Sequence, residues 1–144
     1  DMVYEYAATV YQRLSTLDRY AQAIARLQGR RLTGDPQPEK GLFFRSDHFP
    51  FAKAGVPALD LQAGMEVMGE AAGWGRRKRD EYTANDYHKP SDEVKPGWDL
   101  RGMARDAQVL FLLGLAVADG DAWPLWKSGA EFKAARERSL KQAK

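Results

Sequence analysis

Val56-Pro57-Ala58-Leu59-Asp60-Leu61, entered from Gly55, is short, apolar and bounded, and reads as a buried strand with Pro57 held to its start or edge. Just ahead of it, Pro50 to Lys53 opens a short helix that Gly55 stops. Far behind it lies the strongest helix, after Pro96-Gly97-Trp98, with Asp99 as N-cap. Leu100, Met103, Ala107, Leu110, Phe111, Gly114 and Leu115 give it a broad apolar face as far as about Ala118. Its centre, Val109 to Val117, is apolar almost all round, which predicts deep burial. On the N-terminal side, apolar residues recur at helical spacing from Tyr4 to about Gln28. Ser15-Thr16 offers a break and a fresh N-cap, so the reading favours two helices, the second over Thr16 to Gln28 and stopped by Gly29. Helices around a buried strand suit an α/β layer arrangement. One strand cannot make a sheet, so further strands must lie in Tyr4 to Tyr11 and Leu42 to Arg45, or outside this chain.

Between these elements, Thr33 to Gly41 is dense in breakers and reads as a loop, and Gly64 to Asp86 as a long, glycine-rich one. Trp123-Pro124-Leu125-Trp126 is an aromatic turn expected to fold back on the body, and Phe132 to Lys144 a polar, exposed terminal helix. Hydrophobic residues make up 44% and charged residues 29% of the 144, the balance of a soluble globular chain. A net charge of +2 gives no general reason to expect nucleic acid or an anionic membrane as partner. Arg76-Arg77-Lys78-Arg79 is followed at once by Asp80-Glu81 and reads as a solvated stretch. The absence of cysteine excludes disulfides, thiolate metal sites and cysteine nucleophiles. No stretch approaches the roughly 18 apolar residues of a membrane span. The chain opens on Asp1 without a signal-peptide pattern, and is expected to begin inside a longer protein.

Chemistry can lie at two histidines, His48 in Ser46-Asp47-His48-Phe49-Pro50-Phe51 and His88 in Tyr87-His88-Lys89-Pro90-Ser91-Asp92. Histidine is the commonest metal ligand, and a neighbouring acid commonly orients it. A solitary histidine is nevertheless more often a satisfied structural residue. No serine sits in a Gly-x-Ser-x-Gly elbow, and the consecutive Ser46-Asp47-His48 cannot converge as a triad. No phosphate-cradling or dinucleotide fingerprint occurs either.

At these segments the chain resembles the co-catalytic zinc exopeptidases: bacterial leucyl-type aminopeptidases, glutamate carboxypeptidases and glutaminyl cyclases of the same fold. Arg45 to Leu59 is similar to the family's Ser-Asp-His-x-Pro-Phe segment running into a Gly-Val-Pro-Ala strand. Tyr82 to Asp92 is similar to its Tyr-His-x-Pro-x-Asp block, and Trp98 to Asp119 to its C-terminal helix. Order and the spacing of 40 between His48 and His88 both fit. The resemblance spans about residues 17–132, and implies the C-terminal portion of a mixed, mostly parallel-sheet fold, helix-rich as a fragment. It treats 1–144 as one unit, with an atypical 1–15, a family-like 16–132 and an exposed tail from 133.

The resemblance implies that His88 is a zinc ligand and Tyr87 the donor that stabilises the oxyanion. It makes Asp47 an outer carboxylate oriented near the metal site, His48 structural, and Phe49, Phe51 and the 64–86 loop a substrate-pocket lining. The family's other ligands, and the glutamate pair that supplies its general base, precede these blocks, and no Glu-Glu pair occurs here. Two zincs about 3.5–4 Å apart need several carboxylates. The chain is therefore expected to need the missing N-terminal part of its domain, and to be inactive alone. The parent is expected to be a periplasmic or secreted aminopeptidase acting on peptide N-termini. The alternatives are a non-catalytic fragment or metal-free relative that binds or self-associates, and a glutaminyl cyclase.

Overall fold

A computed structural model describes residues 7–11 and 14–142. In chain order these form β1 (Ala7–Tyr11), α1 (Leu17–Leu27), β2 (Arg31–Gly34), 3-10 turns at Pro38–Lys40 and Leu42–Arg45, α2 (Phe49–Lys53), β3 (Asp60–Gln62), α3 (Trp74–Asn85), α4 (Arg101–Ala118) and α5 (Lys133–Gln142). The three strands make one mixed sheet in the order β2-β1-β3. β1 runs parallel to β2, Ala7 opposite Arg31 and Val10 opposite Gly34, and antiparallel to β3, Val10 opposite Leu61. Among the described residues the architecture is thus α/β with one parallel and one antiparallel pairing, which does not show the mostly parallel sheet that the resemblance implies.

α1 forms where the spacing predicts it. Leu17, Ala21, Ile24 and Ala25 share one buried stripe, while Arg19, Ala23 and Arg26 face outward. It ends at Gly29, whose φ of 69° no β-carbon obstructs, with the Arg30 amide donating back to the Ala25 carbonyl. Thr16 precedes the helix but caps nothing; its Oγ1 accepts the Leu125 amide at 3.0 Å instead. The helical reading of the stretch before Ser15 is corrected over Ala7–Tyr11, which is strand.

α1 packs against α4, and their contact is the first core: Ala21, Ile24 and Ala25 against Val109 and Leu113, closed by Leu32 of β2 and by Leu59 and Leu61 beside it. Arg30, buried, crosses this seam to Asp106 at 2.5 Å. A second core gathers Phe43, Ala52, Trp126, Ala130 and Phe132, with Leu14, Phe49 and Ala58 at its edge. Trp126 is drawn back as the aromatic turn predicts, whereas Trp123 stays 77% exposed.

Five local expectations change. Leu42–Arg45 is a 3-10 turn rather than a strand, its first residue following Gly41 at φ 59°. The strand expected over 56–61 is confined to Asp60–Gln62 and is half-buried, because an edge position covers only part of it. Arg31–Gly34, partly read as loop, is strand β2. The 64–86 loop contains α3, a helix with no buried residue, so no apolar period marks it. In α4 only Val109 and Leu113 are buried, and Phe111 is 68% exposed, because α1 covers a single stripe of a helix that is apolar all round. α5 has no buried residue, as its polar sequence predicts, but Phe132, expected at the start of that exposed helix, precedes it and is buried in the second core.

Candidate functional site

The Ser46 to Gly55 segment is folded by its own backbone. Ser46 Oγ donates to the Leu42 carbonyl at 2.9 Å, and the Phe49 and Ala52 amides donate to the Ser46 and His48 carbonyls. This leaves Asp47 exposed at the start of α2 and Phe51 exposed at its middle. His48 turns the other way: its ring stands edge-on to Phe43, 4.5 Å between centroids, and its Nε2 is buried with no hydrogen-bond partner among the described residues.

Phe49 also turns inward, against Phe44 at 5.3 Å and Phe132 at 6.1 Å, with the Lys53 ammonium 4.9 Å from its ring centroid. The two phenylalanines expected to line one pocket are therefore separated. Phe51 and His48 line an open apolar groove of 470 Å3 closed on its far side by Leu110, Leu113 and Val117 of α4, and Phe49 does not reach it.

Tyr87 and His88 follow α3. Their rings are stacked, 3.9 Å between centroids and 21° from parallel, and both are exposed. His88 has φ 59°, the left-handed region, and is the one described residue other than glycine to do so. Histidine is among the few side chains enriched there, at a cost of about 1–3 kcal/mol that surrounding contacts must offset. Those contacts are polar. The Tyr87 amide donates to the Tyr82 carbonyl at 3.0 Å, and the Lys89 amide to the Asp86 backbone carbonyl at 2.9 Å. Tyr82 Oη donates to Asp92 at 2.9 Å, Ser91 Oγ to the Asn85 carbonyl at 3.1 Å, and Lys95 Nζ to Asp86 at 2.7 Å.

The electrostatics follow from these bonds. Donation to Asp92 raises the Tyr82 phenol above its ordinary value of 10.0. The Lys95 ammonium, then Ser91, lowers the Asp86 carboxyl. Tyr82, Asp86 and Asp92 lie inside the Tyr82 to Asp92 motif block, but the motif gave them no role; their spacing around Tyr87-His88 is the signal for one.

A zinc pair does not fit the side chains in view. Among the described residues no three His, Cys, Asp or Glu side chains come together as a ligand group, and neither Tyr87 nor His88 lines the Phe51 groove. No hydrogen bond or ion pair among the described residues joins Asp47 to the Tyr87–Asp92 turn. The basic run lies on α3 and is engaged locally, Lys78 with Glu81 at 2.9 Å and Arg79 with the Ala63 carbonyl at 3.0 Å.

An α/β chain with the Ser-Asp-His segment entering its edge strand, and a Tyr-His pair presented beyond it, is the setting in which the comparisons fall. The sequence model of Peptidase family M28 matches residues 3–112. The chain belongs to that family, whose members are peptidases and typically zinc-dependent. The match takes in the N-terminal stretch that the motif blocks left without a counterpart, and stops before the end of α4. No curated protein and no solved structure matches the chain. No helix among the described residues is long and apolar enough to cross a membrane.

Proposed function

We propose that this chain carries the Tyr-His part of an aminopeptidase active site, with His88 as its one zinc ligand and Tyr87 as its oxyanion donor. Asp47 serves as an outer carboxylate, and Phe51 as the wall met by the substrate side chain, while Phe49 packs on Phe44 and Phe132 instead. The observation that carries the reading is the exposed, stacked Tyr87–His88 pair on a left-handed turn, inside the span matched by a peptidase family. A single imidazole holds a metal only weakly, so the remaining ligands come from outside the chain, and the chain by itself does not hydrolyse peptides. We place the working protein in the periplasm or outside the cell.

The test is hydrolysis of aminoacyl anilides by this chain alone and by the chain joined to its upstream coding region. Activity is expected only in the second, with His88→Ala abolishing zinc binding and activity together. Activity of the longer protein that survives His88→Ala would sink the assignment. Cyclisation of N-terminal glutamine in the same assay separates a glutaminyl cyclase.

A second reading, binding or self-association without catalysis, is favoured by α4, which exposes Leu110, Phe111 and Leu115 along one side. Light scattering separates the two: a strict monomer at high concentration argues against association, and a Phe111→Glu variant that dissolves an oligomer argues for it.

A further inference from the structure

The chain after α4 returns to the Ser46 to Gly55 segment. The Thr16 amide donates to the Leu125 carbonyl at 2.9 Å, and the Lys127 amide to the Leu14 carbonyl at 2.7 Å, which holds the return against the entry to α1. From there Trp126 Nε1 donates to the Gly55 carbonyl at 2.9 Å, a buried bond. Phe132 stacks on Phe43 at 6.1 Å and meets Phe49 edge-on, also at 6.1 Å, while Trp126 closes on Phe132 at 5.0 Å.

The fit is close. A β-carbon on Gly55 would stand 2.4 Å from the Arg136 amide nitrogen of α5, and Gly55 has φ 91°. α2 therefore touches the C-terminal return on two sides, through its rings and through the turn that ends it. All of the return lies outside the residues shared with the family model.

We propose that Trp126 and Phe132 are positioning residues that hold the Ser46 to Gly55 segment, and thereby set where Phe51 stands in the apolar groove and where Asp47 stands just ahead of α2. The physical reason is that α2 has five residues, too few to hold its own conformation in water. Its placement must come from packing: Phe43 and Phe44 of the preceding turn lie against Phe49, and the return adds Phe132 beside that ring and Trp126 at the Gly55 carbonyl. The assignment rests on the reading of Asp47 and Phe51 as part of a substrate site; its test does not use activity.

Trp126→Phe keeps a ring but removes the donor to Gly55, and Phe132→Leu keeps apolar volume but removes the stacking on Phe43. Each is made in the full chain and followed by NMR. The expected result is amide exchange about tenfold faster at Ala52 and Gly55, whose N–H groups donate to His48 and Ala52, with α1 unchanged. His48 ring protons shift while those of His88, the internal reference, do not. Unchanged exchange at Ala52 and Gly55 in a folded variant overturns the proposal. So does loss of protection in α1 together with α2 in both variants, since the two rings would then support the whole fold alike. If one variant fails to fold, the other decides. A zinc titration followed at His88 reports separately on the peptidase reading.

Discussion

The rings of Tyr87 and His88 lie stacked at 3.9 Å, on a turn in which His88 takes a left-handed backbone. Two ring systems are thus presented together to solvent by a segment held through its backbone and its neighbours' charges. The turn, and not the imidazole, holds the geometry.

His88→Gly and His88→Val test this. Glycine relieves left-handed strain of about 1–3 kcal/mol but loses stacking of about 0.5–1.5 kcal/mol and adds chain entropy, so stability stays within about 1 kcal/mol of wild type. Valine, β-branched, costs about 2 kcal/mol at the same φ. Urea unfolding measures both. Equal stability of the two variants would show that the turn is not left-handed in solution.

The pH dependence has two edges. Asp99 accepts from the Arg101 amide at 3.0 Å and from its guanidinium at 2.5 Å, and the guanidinium beside it lowers its carboxyl from 3.8 to about 2. Its contribution to stability is present above pH 3.8 and is lost as pH falls through about 2. Tyr82 is raised, so its contribution is present below 10.0 and is lost as pH rises through the elevated value. In melting curves, Asp99→Asn should differ from wild type above the acid window and converge with it below. Tyr82→Phe should differ below the alkaline window and converge above it.

Gly55→Ala meets two obstacles, a φ of 91° and the Arg136 backbone 2.4 Å from the new β-carbon. The expected loss is about 3 kcal/mol, from backbone strain plus overpacking. Gly34→Ala, with nothing within 4 Å of the added carbon and no positive φ, is the control and should cost far less. Chemical denaturation of the pair decides it.

Asp18, 1% exposed, is joined to Lys127 at 2.5 Å, tying α1 to the C-terminal return. Lys127→Met leaves a buried carboxylate without that cation and should destabilise by about 3 kcal/mol. Adding Asp18→Asn should recover part of the loss, a coupling that a double-mutant cycle measures. Additive losses would mean that the bridge contributes nothing of its own.

Much of the helical content was legible in local patterning. α1, α2 and α4 lie within two residues of the spans that apolar spacing and glycine stops predict, since each period reports a face that must be buried. α3 was not, because a helix held by charged pairs and buried nowhere leaves no such trace. β2 was hidden for a related reason: it is four residues long, and Leu32 is its one buried side chain. The site was legible in part. Tyr87-His88 and Asp47-His48 stand out as motifs, but nothing local told which histidine faces inward.

By itself the sequence determined the elements with strong periods, the breakers between them, and the scarcity of imidazole and thiolate ligands, since only two histidines and no cysteine occur in the chain. Tertiary structure alone decided which surfaces those elements share. It placed His48 against Phe43 and left His88 exposed, turned Phe49 inward and Phe51 outward, and covered one stripe of α4. The reason is physical. Periodicity and turn chemistry act over a few residues, whereas burial depends on which distant segment arrives to exclude water. Here that segment is the return carrying Trp126 and Phe132, and only the folded chain brings it to α2.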